Sequence, residues 1–216
     1  MAITVIMIVL AAYLIGSVNF AVIISSAFIK KDVRKFGSGN AGATNVLRTA
    51  GVLPGILTFL GDALKGFCAA MLGYLTFKYM ASDTSAFFQP IYGAYLCGLF
   101  CMLGHIFPVF FQFKGGKGVA ICVGIFAVCS YKAIIAGLLV FAIVTALTKY
   151  VSLGSVLATV VTVVLSIVFY NKTALLWPQA ILSIAMGTII ITKHSENIKR
   201  LLQGTESKIG KGGNNV

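Results

Sequence analysis

Chemistry in this 216-residue chain is concentrated in three short polar stretches set among long apolar runs. The first is Gly37-Ser38-Gly39-Asn40-Ala41-Gly42-Ala43-Thr44-Asn45-Val46-Leu47-Arg48. Glycine-rich backbone can turn several bare N–H groups toward one anion. Ser38, Asn40, Thr44 and Asn45 add donors, and Arg48 adds a planar fork suited to phosphate. The glycines also spell G-x-G-x-x-G, but a dinucleotide fold needs a preceding strand, and here an apolar run and a basic loop precede it. The second stretch runs from Gly104-His105 through Pro108 to Phe113-Lys114-Gly115-Gly116-Lys117-Gly118, where two lysines in a glycine run form another anion cradle. The third is Lys193-His194-Ser195-Glu196-Asn197-Ile198-Lys199-Arg200. On a helix His194 and Asn197 share a face, and Glu196 and Arg200 are spaced to pair.

Two further groups lie within apolar segments. Asp62 and Lys65 are three apart, so they form either an ion pair that holds the fold together or, with Lys65, part of the anion site. Ser152-Leu153-Gly154-Ser155 follows Lys149, and its hydroxyls either cap a helix or join the polar site. The five cysteines, Cys68, Cys97, Cys101, Cys122 and Cys129, all fall in apolar runs and read as small buried hydrophobes. They show no metal-ligand spacing with histidine.

The elements that must position these groups are membrane helices. Hydrophobic residues make up 59% of the chain and charged residues 10%, against about 25% charged in soluble domains. The expected fold is all-α and polytopic, with about seven transmembrane helices near 3–29, 52–77, 88–110, 118–131, 133–148, 154–170 and 174–192. Five or six spans remain open, because 118–148 reads equally as a thin hairpin or as one long irregular element. Pro108 should end the third helix.

With the N-terminus outside and the C-terminus cytoplasmic, thirteen cations fall inside: Lys30, Lys31, Arg34, Lys35, Arg48, Lys114, Lys117, Lys149, Lys193, Lys199, Arg200, Lys208 and Lys211. Lys78, Lys132 and Lys172 fall outside, and Lys65 lies within a span. This bias follows the positive-inside rule and puts all three polar stretches on one face. The net charge of +12 is spread between apolar runs, so nucleic acid is not an expected partner. One domain is expected over 1–216, with a disordered tail at 207–216. Asn171-Lys172-Thr173 is read as a chance sequon.

The segments SGNAGATNVLR at 38–48, GHIFPVFFQFKGGKGVA at 104–120 and HSENIKRLLQGTE at 194–206 resemble the three motifs of the PlsY family, bacterial acyl-phosphate:glycerol-3-phosphate acyltransferases. Order and spacing match across essentially the whole chain. Ala41 departs from the proline that many relatives carry, which should change loop stiffness more than chemistry. The resemblance implies a membrane enzyme of phospholipid synthesis in the bacterial inner membrane, with its active site on the cytoplasmic face. Its partners would be acyl-phosphate, glycerol 3-phosphate and membrane lipid. It implies no metal, no cofactor and no direct use of acyl-CoA or acyl carrier protein, and a monomer is the expected working unit.

On that basis His194 and Asn197 are the catalytic candidates. Ser38, Asn40, Asn45, Arg48, Lys65, His105, Lys114, Lys117 and Ser155 are the substrate-binding candidates, and Glu196 is structural. The H-x-x-x-x-D signature of commoner acyltransferases is absent, since Phe110 and Lys199 stand five residues after the two histidines. Either His194 or a substrate phosphate takes the proton released by the attacking hydroxyl. A permease is the rival class, but midplane sites and paired repeats, its usual marks, are not found.

Overall fold

The structure is a computed structural model that describes residues 1–81, 88–169 and 176–210. All regular elements among the described residues are helical. Besides two short 3-10 turns at Val33–Lys35 and Val109–Phe111, they are in chain order α1 (Ala2–Ser17), α2 (Phe20–Ile29), α3 (Ala43–Ala50), α4 (Val52–Met80), α5 (Pro90–Ile106), α6 (Val119–Cys129), α7 (Tyr131–Thr148), α8 (Val151–Val168), α9 (Leu176–Lys193) and α10 (Ser195–Leu202). Among the described residues, each of the seven expected apolar segments is mainly helical. The sequon at 171–173, Lys172 and Lys211 lie outside the described residues.

The first segment departs from expectation. It breaks at Val18-Asn19, where Asn19 caps α2 by accepting from Val22 N at 3.2 Å. The break leaves the last carbonyls of α1 without helical partners, and Gly16 O and Val18 O both accept from Lys65 Nζ of α4.

Segment 118–148 is two helices that part at Ser130, which is extended with φ −160°. At about 1.5 Å per residue the 11 residues of α6 reach roughly half of the ~30 Å hydrocarbon layer, so α6 cannot cross it unaided. Among the described residues, five helical units are long and apolar enough to cross: Ala2–Ile29, Val52–Met80, Pro90–Phe111, Tyr131–Thr148 and Val151–Val168.

The core forms where helices touch through small residues. On α1, Ile3, Ile6, Leu10 and Leu14 are exposed, whereas Ile8, Ala12 and Gly16 are buried. The outward stripe suits lipid and the inward one suits a neighbouring backbone. A side chain at Gly16 would strike the Cys101 carbonyl of α5, and one at Gly104 would strike Tyr13 O of α1. This close approach anchors α5 on α1, while α4 packs on both and α6 lies against α4. Four of the cysteines are buried here as small apolar groups, and Cys68 is exposed.

The second layer is α7 on α8 and α8 on α9. The buried face of α8 carries Ser152, Ser155, Thr159, Thr162 and Ser166. Ser155 and Thr159 donate back to carbonyls one turn earlier, at 2.9 and 2.8 Å, which satisfies them locally.

α5 ends at Ile106, two residues before Pro108, as expected. Residues 207–208 and 209, expected to be disordered, lie against the body: Arg48 Nη2 donates to Ser207 O at 3.1 Å and Ile209 N to Lys149 O at 2.8 Å.

Candidate active site

The three polar stretches converge on one cleft of about 690 Å³. Its walls come from the loop before α3, the first turn of α3, the glycine loop before α6, the start of α8 and the junction of α9 and α10. Of the sequence candidates, Ser38, Asn40, Asn45, Arg48, His105, Lys117, Ser155, His194, Glu196 and Asn197 line it.

The first loop is shaped by Asn45. Its Oδ1 accepts from Ser38 N at 3.0 Å, and its Nδ2 donates to Val33 O and Phe36 O, each at 3.0 Å. Both amide hydrogens are therefore committed, and Asn45 clamps the loop from the cleft wall. Gly37 and Gly39 turn the chain with φ 59° and 71°, a region that costs little only without a side chain. The turn leaves Ser38 exposed at the mouth of the cleft. Asp32 pairs with Arg34 at 2.7 Å, and Arg34 Nη1 donates to Phe111 O at 2.8 Å, which ties the first loop to the second.

The second loop doubles back on α5. Gly115 N donates to Ile106 O and Gly116 N to His105 O, each at 3.2 Å. Any side chain at Gly116 would collide with His105 Nε2. The doubling aims Lys117 into the cleft, where its ammonium donates to Asn197 Oδ1 of α10. Burial first, and then repulsion from Arg200 and Arg48, lowers the pKa of Lys117, with Glu206 opposing. Lys114 is exposed and outside the cleft lining, contrary to expectation. The chain reverses at Gln112 and Phe113, both left-handed with φ 58° and 59°, just before the two lysines.

The third stretch supplies a network. Asn197 Nδ2 donates to Glu206 Oε1 at 2.7 Å, and Arg200 Nε donates to Glu206 Oε2 at 2.7 Å. Arg200 thus pairs with Glu206, beyond a turn at Gly204, and not with Glu196 as its spacing suggested. Glu196 is an exposed acid in the first turn of α10, where it suits the helix dipole. Burial raises the Glu206 pKa, but hydrogen bonds from Asn197 and Arg200 lead the effects that outweigh it and hold the group below its usual 4.5.

His194 is buried, with Nδ1 2.8 Å from Ile190 O. A ring nitrogen facing a carbonyl must carry the proton, so Nε2 is the free acceptor. Burial chiefly, with help from the Lys117 charge, lowers its pKa below 6.5 against the pull of the Ile190 carbonyl and Glu206. The ring is neutral at neutral pH.

Behind this surface lies a second polar group. Lys65 Nζ contacts Gly16 O at 3.0 Å, Val18 O at 2.6 Å, His105 Nδ1 at 3.0 Å and Asp62 Oδ1 at 2.9 Å. Asp62 and His105 reach the cleft lining and Lys65 does not. Of the two roles weighed for the Asp62–Lys65 pair, the geometry supports the one within the fold. Sequence reasoning missed Glu206, Asp32 and Arg34. The available signal was scarcity: five acids among seventeen basic residues make each carboxylate a candidate partner.

The cleft continues into an apolar groove of about 100 Å³ between α6, α7, α8 and α9, lined by Cys122, Phe126, Ile134 and Thr162 among others. Phe59, Val119 and Phe141 line both spaces. Cations, an acceptor histidine and an apolar extension together suit a molecule with an anionic head and a long hydrocarbon tail, beside a second polar anion.

The family model described as glycerol-3-phosphate acyltransferase matches residues 6–204. Glycerol-3-phosphate acyltransferase 2 of Bacillus anthracis is 42% identical over 198 residues, covering 92% of this chain and 95% of that one. The glycerol-3-phosphate acyltransferase of Finegoldia magna is 41% identical over 202 residues, covering 94% of each. Crystal structures of PlsY, an integral membrane glycerol 3-phosphate acyltransferase, align over 96% of both chains. The glycerol 3-phosphate form has a TM-score of 0.83 at 36% identity, and the lysophosphatidic acid form 0.81 at 35%.

Proposed function

Because the chain belongs to the glycerol-3-phosphate acyltransferase family and is an integral membrane acyltransferase of phospholipid synthesis, we propose that it takes its acyl group from acyl-phosphate and delivers it to the 1-hydroxyl of glycerol 3-phosphate. The observation that carries this reading is the joining of a cationic cleft to an apolar groove at Phe59, Val119 and Phe141. Acyl-phosphate is a mixed anhydride, so its carbonyl is already activated and its leaving group is phosphate. Positioning and charge stabilisation then supply most of the catalysis.

Ser38, Asn40, Arg48 and Lys117 hold the two phosphates, Ser155 joins them on turning its hydroxyl from the Val151 carbonyl into the cleft, and the acyl tail follows the groove. The 1-hydroxyl donates to His194 Nε2, which aims its oxygen at the carbonyl carbon. The new ester C–O bond forms, the C–O bond to phosphate breaks, and inorganic phosphate leaves. The proton passes to His194 or to the departing phosphate, and the pH profile of His194→Gln separates these routes. Asn197, held by Glu206, steadies Lys117.

The cleft faces the cytoplasm of a bacterial plasma membrane, a placement supported by the cations gathered around it. The whole chain acts as one catalytic domain, and each monomer carries a complete cleft. Purified protein in detergent should convert acyl-phosphate and labelled glycerol 3-phosphate to lysophosphatidate and phosphate in equal amounts. Turnover with acyl-CoA but not with acyl-phosphate would overturn the donor assignment.

A further inference from the structure

The two histidines of this chain are wired in opposite senses, and we propose that Lys65 and Asp62 are positioning residues that fix His105 as the Nε2–H tautomer, making it a standing hydrogen-bond donor to the acyl carbonyl oxygen. This rests on the acyl-transfer reading above.

Lys65 Nζ lies 3.0 Å from His105 Nδ1, while Asp62 Oδ1 is farther from that nitrogen, at 3.4 Å. An ammonium has only protons to offer, so Nδ1 is an acceptor and the ring proton sits on Nε2. Lys65 cannot turn away. Gly16 O and Val18 O, released by the break between α1 and α2, take its other protons, and Asp62 lies 2.9 Å from it. The buried ammonium, at 4% exposure, spends its three protons on Gly16 O, Val18 O and His105 Nδ1, and the Asp62 carboxylate balances its charge.

The Nε2 edge of the buried ring packs against Gly116, where only the absence of a side chain makes room for it. His105 lines the cleft beside Asp62, one helical turn along α4 from Phe59. Phe59 is one of the three residues shared by cleft and groove. In a molecule with an anionic head in the cleft and a tail in the groove, the acyl carbonyl is the atom group at that junction. Attack by the hydroxyl moves negative charge onto the carbonyl oxygen. A donor fixed in advance stabilises that charge without reorganising during the reaction. His194, with Nδ1 committed to Ile190 O, serves the opposite need and accepts from the attacking hydroxyl.

The test uses full-length protein in detergent, labelled with ¹⁵N-histidine, and parallel kinetics. With two histidines the spectrum holds two rings, assigned through His105→Gln. At pH 8 His105 should show the Nε2–H pattern and His194 the Nδ1–H pattern. Two rings of the same tautomer, or a doubly protonated His105, would overturn the proposal. In Lys65→Met, Asp62 becomes the only partner for Nδ1, and His105 should move toward Nδ1–H. An unmoved Nε2–H pattern in a folded variant removes Lys65 as the lock.

Should Lys65→Met fail to fold, the His105 variants carry the test. His105→Phe should lower kcat about 100-fold or more, the usual loss for one such donor, with KM for glycerol 3-phosphate within about threefold. His105→Gln, whose amide can donate, should recover at least about tenfold of that loss. Unchanged kcat in His105→Phe, or a loss confined to KM, overturns the donor role. Wild-type lysophosphatidate formation in the same assay keeps the acyl-transfer reading separate. If wild type makes product and His105→Phe matches it, only the His105 assignment falls.

Discussion

Lys65 and Lys117 are lysines withdrawn from solvent about the same cleft, yet their surroundings differ. Lys65 is saturated from within: two helix-end carbonyls, a carboxylate and an imidazole nitrogen surround it. Lys117 has one amide oxygen, from Asn197, and two arginines near enough to disfavour its charge. A buried cation whose acceptors are all protein atoms is part of the fold. One left short of acceptors and crowded by like charge has room for an anion. The acceptor inventory, more than burial, separates the framework lysine from the one we propose meets substrate.

The largest break in this contrast should come from Lys65→Met. It strands a buried carboxylate and two carbonyls, a class of change that costs about 3–5 kcal/mol. Thermal unfolding in detergent should show a large fall in Tm, and an unchanged Tm would place Lys65 outside the framework. Lys117→Ala should do the reverse. Activity falls about 10²–10³-fold, as for one electrostatic contact to the reacting group, while Tm holds, because repulsion from Arg48 and Arg200 is relieved as the Asn197 contact is lost. Arg48→Lys keeps the charge but loses the fork. An increase of about tenfold in KM for glycerol 3-phosphate, equal to roughly 1.4 kcal/mol, is expected with folding intact.

The smallest effect concerns pH. Folding lowers the His194 pKa below its unfolded 6.5, so the folded state binds fewer protons between the two values. This contribution to stability is complete above pH 6.5 and is lost as pH falls through 6.5 toward the lower folded value. Glu206, held below 4.5, contributes above pH 4.5 and loses its contribution below that. Denaturation of wild type should therefore steepen below pH 6.5, and His194→Gln should remove that step while leaving the one below pH 4.5.

Much of this was legible in the sequence because polar residues are scarce in an apolar chain and lipid tolerates few of them unpaired. The seven apolar segments, the helix end before Pro108 and the gathering of Ser38, Arg48, Lys117 and His194 all follow from that scarcity. Pairings across turns were not legible. Glu196 and Arg200 have ideal helical spacing, but the reversal at Gly204 brings Glu206 to Arg200 instead. The Asn45 amide offers its hydrogens to any acceptor, and only the fold reveals Val33 O and Phe36 O beside it. The break at Val18-Asn19 lay in an apolar run that hydropathy alone reads as one helix. Its purpose becomes visible only when Lys65, 47 residues away along the chain, meets the freed Val18 carbonyl.

Cross-linking tests the convergence of the motifs most directly. In a background lacking the five native cysteines, Lys117→Cys and Asn197→Cys are combined and treated with a short bifunctional thiol reagent in native membranes. The two sites should join rapidly within one chain, as the contact between Lys117 and Asn197 requires. A folded protein in which they fail to join would contradict the convergence of the second and third motifs on one cleft.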